Sequence, residues 1–228
     1  MLNAKEYELL YGKDGIEIGG PSHYFNGGLL PLYQNVKSLD NSIFSAETIW
    51  HGKVTEGNTF NFAPGKTGYQ YICDATDMQI IPTGKYDFLV STNTLEHIAN
   101  PLKAMFEFLR VIKPNGMILL VLPDKDSNFD HLRKITLWDH IKYDYDIGTK
   151  EDDLSHLGEE LLLHDLPMTP ECGDLWFFTQ RSLKNYENRC LHQHVFDMEL
   201  LKKVFDFCKL KVIREDKIHS DYIIFGKK

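Results

Sequence analysis

The stretch Asp14-Gly15-Ile16-Glu17-Ile18-Gly19-Gly20-Pro21-Ser22 limits what this chain can fold into more than any other. It reads as a short buried strand that ends in an acidic residue and a glycine pair. Glycine carries no Cβ, so a ligand can approach the backbone closely there. At the carboxyl end of the first strand of an open α/β sheet, that is where nucleotide-like cofactors bind. The G-x-G-x-x-G spacing of a dinucleotide site is missing, because Pro21 and His23 stand where further glycines would be. Alone the stretch is a weak signal, and the residues downstream strengthen it.

A second strand, Asn35 to Asp40, ends on a carboxylate. Asp40 comes 23 positions after Glu17, near the roughly 20-residue gap to the ribose-binding acid of nucleotide-binding β-α-β units. The alternative for Asp40 is a turn or N-cap aspartate. Residues 3–11 predict a short helix before the first strand, and Phe25 to Leu32 a loop or single helical turn. Residues 42–68 read as an amphipathic stretch around Trp50 and then a polar loop. Tyr69 to Asp77 is the next strand, ending in a second carboxylate, and Tyr86 to Ser91 is a nearly continuous apolar strand of the kind parallel sheets bury. Thr94 to Leu109 is helical with a break near Pro101. Lys113-Pro114-Asn115-Gly116 is a turn, and Met117 to Pro123 the most apolar strand. Strands alternating with helices predict right-handed crossovers and a parallel sheet covered on both faces. A helix at 197–208 and strands at 210–214 and 221–225 predict an antiparallel pair at the sheet's end.

The 228 residues suffice for one domain, 1–228, with a substantial core and an insertion at about 126–190. Acids outnumber bases 33 to 25, which argues against a general nucleic-acid binder with a basic face. No run reaches the length of a membrane span and the first residues hold no signal-peptide core, so a cytoplasmic protein is expected. The four cysteines form no C-x-x-C pair, so reduced thiols are the default.

The order E-I-G-G-P-S, an Asp after strand two, C-D-A-T-D after strand three, Y-D-F-L-V-S-T-N-T-L-E-H-I-A-N-P, then R-V-I-K-P-N-G-M-I-L-L-V-L-P resembles the class I S-adenosylmethionine-dependent methyltransferases over residues 14–125. The stretches N-F-D-H-L-R-K-I-T and R-C-L-H-Q-H-V-F-D look like a subgroup associated with bacterial surface-glycan synthesis. The resemblance implies a Rossmann-like, doubly wound, seven-stranded α/β sheet with an antiparallel C-terminal pair and a helical lid, and S-adenosylmethionine as cofactor. It implies that Glu17, Gly19 and Gly20 floor the methionine moiety and that Asp40 holds the ribose hydroxyls. Asn41 would lie beside the adenine, Asp74 with the Ala75 backbone would read it, and Ser91 and Asn93 would flank the sulfonium. S-adenosylmethionine has no pyrophosphate, so fewer backbone N–H groups need to converge than at a dinucleotide. A nicotinamide dehydrogenase is the rival, opposed by the missing glycines and the antiparallel end pair.

Methyl transfer asks the protein mainly to align an acceptor with an activated carbon and to exclude water. A hydroxyl acceptor adds the need for a general base, and His97 and His131 are the candidates. In ubiquinone-type O-methyltransferases an E-x-x-E-H pattern resembles a divalent-metal site, but Asn93 replaces its first Glu here, and His97 reads equally well as a helix-ordering residue. Six of the ten histidines fall between His131 and His194. They read as a pocket for a hydroxyl-rich acceptor, as a transition-metal site, or as surface and capping residues. His131 and Arg133, directly after strand five, are taken as substrate-binding, with His192 and His194 alternating toward one side; no metal ligand is assigned. Glu151-Asp152-Asp153 reads as an exposed helix start and Trp176-Phe177-Phe178 as insertion core. The expected activity is O-methylation of a sugar hydroxyl on a glycan or nucleotide sugar, with a homodimer allowed. A cofactor-binding scaffold without transfer, or an N- or C-methyltransferase of a small metabolite, are the alternatives.

Overall fold

The computed structural model describes residues 5–27 and 30–228. Strands β1 (Asp14–Ile18) and β2 (Ser38–Ile43) come first, then a small ribbon of β3 (Glu47–Thr48) and β4 (Gly52–Lys53). A hairpin of β5 (Gly57–Ala63) and β6 (Lys66–Ile72) comes next, then β7 (Tyr86–Thr92), β8 (Ile112–Pro123), β9 (Lys211–Ile218) and β10 (Asp221–Lys227). One eight-stranded sheet has the order β5-β6-β2-β1-β7-β8-β10-β9. The five strands from β6 to β8 are parallel, while β5 and β10 run antiparallel to their neighbours. This is the Rossmann-like arrangement with an antiparallel end pair that the sequence predicts, widened from seven strands to eight.

The eighth strand comes from the stretch expected to be a polar loop. In β5, Phe60 and Phe62 alternate with exposed residues, a two-residue period that buries both rings. Phe62 meets Tyr33 at 5.7 Å between ring centroids. The hairpin can pack closely because Gly68 replaces a side chain: a Cβ there would sit 1.7 Å from the Leu39 carbonyl oxygen. No helix lies between β2 and β6, and aromatic side chains supply the cover instead. The second strand also lies later than expected, at 38–43, so Asp40 pairs with Ile16 in mid-strand rather than standing at the strand's end.

Helices α1 (Leu32–Asn35) and α2 (Pro101–Val111) precede the segment after β8, which holds α3 (Trp138–Ile147), α4 (Leu157–Leu163), α5 (Leu175–Ser182), α6 (Asn185–Asn188) and, before β9, α7 (Met198–Phe207). Helix α2 starts where Asn100 accepts from the Lys103 amide and Pro101 takes the first turn. Its face Leu102, Met105, Phe108 is at most 1% exposed and packs with α7 on Ile118, Leu120 and Ile224, each such side chain contributing roughly 1.5–3 kcal/mol. The opposite face is covered by Tyr7, Phe25, Tyr33 and the two β5 phenylalanines. The expected N-terminal helix is a 3-10 helix, Lys5–Leu10; positions 3–4 of it, and 28–29 of the loop expected at 25–32, lie outside the described residues. The expected turn 113–116 falls inside β8, where Asn115 has φ +63° and the pairing with β7 shifts register. Among the described residues no helix is long and apolar enough to cross a membrane.

Candidate active site

A cavity of about 850 Å³ opens at the carboxyl ends of the parallel strands. Gly19 after β1, Asp74 and Ala75 after β6, Thr92 and Asn93 at the end of β7, and Pro123 of β8 all line it. Gly19 is required there: its φ is +80° and a Cβ would lie 2.7 Å from the Thr94 hydroxyl oxygen. Asn93 is itself left-handed at φ +47°, a conformation that costs energy and collects at functional turns.

Behind this wall a second layer fixes the glycine loop. The Gly20 amide donates to Asn41 Oδ1 at 3.0 Å, and Asn41 Nδ2 donates back to the Gly20 carbonyl at 3.0 Å and to Gln70 at 2.9 Å. Glu17 accepts from the Tyr33 hydroxyl at 2.7 Å and from the Ser22 amide at 3.1 Å. Burial pushes the Glu17 carboxyl up to about 8, against the pull of both donors. Ser91 is buried and donates to the Ile18 carbonyl at 3.2 Å. Glu17, Gly20, Asn41 and Ser91, expected from the sequence to touch the cofactor, therefore support the wall without lining the cavity.

Asp40 departs furthest from its expected place. Its Oδ1 accepts from the Tyr69 amide at 2.8 Å, and its Oδ2 from Lys85 at 2.9 Å and the Tyr86 hydroxyl at 2.6 Å. It does not line the cavity, because the displaced strand puts it two pairs before the sheet's edge. A count of residues from Glu17 fixes the strand on which an acid falls but not its register. Asp74 does line the cavity, with Oδ1 held by Thr76 and Oδ2 3.1 Å from Arg189. Arg189 also binds Glu151, which is buried and accepts from the Ala99 amide. The acidic run at 151–153 is thus anchored inward at its first residue, not exposed throughout.

The ribbon roofs the loop. His51 Nε2 donates to the Gly19 carbonyl at 3.0 Å, and Trp50 Nε1 donates to the Asn188 carbonyl at 3.2 Å, joining the ribbon to α6.

Opposite stands a titratable cluster. Glu96, His97 and His192 line the cavity and each brings one donor atom within 4.8 Å of the other two. The Leu191 carbonyl can only accept, so His97 carries its proton on Nδ1, at 3.1 Å, and keeps a lone pair on Nε2. Burial, with His192 adding to it, pushes His97 down to about 3, so the ring is neutral. His192 Nδ1 lies 2.5 Å from Asp130 Oδ2. Burial alone would lower the His192 pKa, but the Asp130 carboxylate outweighs it and raises it. Both Glu96 oxygens are buried without a hydrogen bond, and burial raises Glu96 to about 7.

Arg133 is not a pocket residue. Its side chain is 1% exposed, 3.1 Å from Asp130, 2.5 Å from Glu160 and 3.1 Å from Glu159. It also donates to the His192 carbonyl at 2.8 Å. A buried guanidinium needs such company, and its effect is to hold the Asp130–His192 pair in place. His131, one residue from Asp130, turns away to Asp165 at 2.8 Å and does not line the cavity. His194 does not join His192: residues 191–197 form no paired strand, so no two-residue repeat applies, and His194 faces α3 instead. Trp176 and Phe177, expected in the insertion core, are 63% and 61% exposed, and Phe178 alone is buried. Asp130 is not among the candidates the sequence suggests, although it sits in the same F-D-H triplet as His131.

A family model described as a methyltransferase domain matches residues 12–189, most of the chain. The chain belongs to the methyltransferase domain family. Solved structures agree on the fold. A SAM-dependent methyltransferase from Aquifex aeolicus aligns over 98% of this chain and 86% of its own at 13% identity and a TM-score of 0.52. One from Methanosarcina mazei covers 100% and 98% at 16% identity, TM-score 0.51, and one from Mesorhizobium loti 96% and 92% at 6% identity, TM-score 0.55. No curated protein matches the sequence. As a methyltransferase, the chain brings a glycine that admits no side chain, a strained Asn93 and an unpartnered Glu96 carboxylate to one cavity. Close backbone approach and nearby carbonyl and carboxylate oxygens are what a cationic sulfonium donor requires, so the residues present fit that cofactor.

Proposed function

We propose that this methyltransferase transfers a methyl group from S-adenosylmethionine to a sugar hydroxyl of an anionic acceptor, with a nucleotide sugar as the favoured class. The methyl donor is S-adenosylmethionine, and when bound it supplies a carbon activated by its sulfonium leaving group. Gly19, Asn93, Asp74 and Ala75 are the residues that would hold it. The observation that carries the oxygen-acceptor reading is the Asp130–His192 pair at the cavity wall, 2.5 Å apart. Its Nδ1 is occupied by Asp130, so Nε2 is the nitrogen left to take a proton from a hydroxyl. Neutral His97 offers a second lone pair, and either ring serves to orient the acceptor oxygen.

The anionic part of the reading rests on Arg181. Its guanidinium lines the cavity, makes no ion pair among the described residues, and its Nε is buried without a partner. A phosphate or carboxylate on the acceptor would satisfy it. The segment between β8 and α7 acts as the lid over this half of the cavity.

The test is a methyl-transfer assay with S-adenosylmethionine and a panel of nucleotide sugars, neutral glycans and amines, read by mass spectrometry. Methylated nucleotide sugar, with KM raised roughly tenfold or more in Arg181→Ala, is expected. Asp130→Asn should lower kcat by about 10²-fold or more while calorimetric cofactor binding is unchanged. Methylation of amines alone would replace the oxygen reading with nitrogen transfer. Cofactor binding with no transfer to any acceptor would favour the scaffold alternative.

A further inference from the structure

Three histidines that the cavity does not use meet elsewhere. His140 and Asp144 stand one turn apart on α3 and so share a face. His156 immediately precedes α4, and His194 lies on the extended segment before α7. One donor atom from each of these four side chains lies within 4.8 Å of the other three. His140 Nε2 is 3.0 Å from His156 Nε2 and 3.2 Å from Asp144 Oδ2, and His194 Nε2, the ring nitrogen that also faces the Ala99 carbonyl, is 3.7 Å from the same Asp144 oxygen. We propose that His140, Asp144, His156 and His194 form a structural zinc site that clasps the insertion to the methyltransferase core.

The geometry is that of a coordination shell. Ligands about 2.0–2.2 Å from a central zinc ion stand roughly 3.3 Å from one another at tetrahedral angles, close to the separations of His140 from His156 and from Asp144. The imidazoles do not stack: the planes of His140 and His156 cross at 90°, of His156 and His194 at 73°, and of His140 and His194 at 61°. Edges converge, and edges carry the nitrogens.

Hydrogen bonding within the protein leaves the group unfinished. Asp144 Oδ2 and His194 Nδ1 are buried with no hydrogen-bond partner, which is costly without a cation or a donor. Outer partners are present. Thr149 donates to Asp144 Oδ1 at 3.0 Å. The Ala99 carbonyl, 3.2 Å from His194 Nε2, draws the ring proton to that nitrogen and leaves the Nδ1 lone pair free for a metal. Such second contacts orient metal ligands. Three imidazoles and one carboxylate suit zinc, whereas magnesium and calcium prefer oxygen. Four protein ligands close the shell, and none of the four lines the cavity, so the ion would hold structure rather than act on substrate.

Its place explains what it would hold. The His194 amide donates to the Glu96 carbonyl at 3.1 Å, and His192 is two residues away. The ion would tie α3, the start of α4 and the 192–195 segment together behind the cavity wall, whichever acceptor the cavity takes.

Metal analysis of the full chain purified from zinc-supplemented medium is expected to find about one zinc per chain. Exchange with Co(II) is expected to give the intense visible absorption of a tetrahedral site. Both should be lost in His156→Ala and in the milder Asp144→Asn, and kept in Glu96→Gln, with circular dichroism checking that each variant is folded. Chelator treatment should lower the melting temperature, and zinc, not magnesium, should restore it. A metal-free protein with no cobalt spectrum would overturn the proposal. So would a spectrum that survives His156→Ala and disappears in Glu96→Gln, which would put the ion at the cavity cluster.

Discussion

At the scale of single residues, the structure separates groups that face the cavity from groups that hold those groups. Asp40 is the sharpest case. The sequence makes it the ribose acid, while the fold gives all of its bonds to Tyr69, Lys85 and Tyr86. Asp40→Ala should therefore lower stability by about 1–3 kcal/mol, chiefly the cost of leaving the buried Tyr86 hydroxyl and the half-buried Tyr69 amide unsatisfied. Cofactor affinity, measured by calorimetry in the same variant, should stay within about twofold of the native protein, since the lost bonds lie outside the cavity. A much larger loss of affinity with unchanged melting would restore the ribose role. His131 and Arg133 teach the same distinction. Position after strand five singles both out, yet Asp130 is the residue that bonds the His192 ring, and Arg133 reaches only the His192 carbonyl.

At the scale of elements, the glycine loop after β1 depends on β2 more than on itself. Asn41 grips Gly20 through both its amide and its carbonyl, so the loop's position is set by a side chain of the neighbouring strand. Asn41→Ala is expected to cost about 2–3 kcal/mol in stability through the bonds it breaks, and to weaken cofactor binding by roughly fivefold or more as Gly19 and Gly20 loosen. Denaturant melts and calorimetry on one preparation check both, and unchanged affinity would mean that His51 and Glu17 suffice to hold the loop. That β7 and β8 are legible in the sequence is a consequence of their apolar runs, and β1 is legible from the glycine pair that stops it. Strand β5 is not, because its polar outer face hides the Phe60–Phe62 alternation and its cover comes from Tyr33, distant in sequence.

At the scale of the whole molecule, buried carboxyls set the response to pH. Glu17 and Glu96 have folded pKa values raised to about 8 and about 7 from an ordinary 4.5, and His192 is also raised. A raised pKa contributes stability that is complete below the unfolded value and lost as pH climbs through the folded one. His97, depressed to about 3, pulls the other way below its ordinary 6.5. Denaturant midpoints should therefore fall between about pH 6.5 and pH 8.5. The loss should be on the order of a few kcal/mol, since each tenfold change in proton affinity is worth about 1.4 kcal/mol. Glu96→Gln should flatten the slope, and equal midpoints at both pH values would show that these carboxyls ionise freely in the fold.

The sequence by itself determined the succession of parallel strands along the chain, the glycine stop after β1, the antiparallel end pair and the methyltransferase family, because these depend on local apolar runs, turn residues and their order. Only the tertiary structure decided which titratable groups share a site. Strand register turned Asp40 away from the cavity and an unpaired segment sent His192 and His194 to different partners. Packing of α3 against the start of α4 gathered histidines that lie up to 54 positions apart, His140 and His194. Distances of that kind depend on how elements pack, and a pattern read along the chain carries no measure of them.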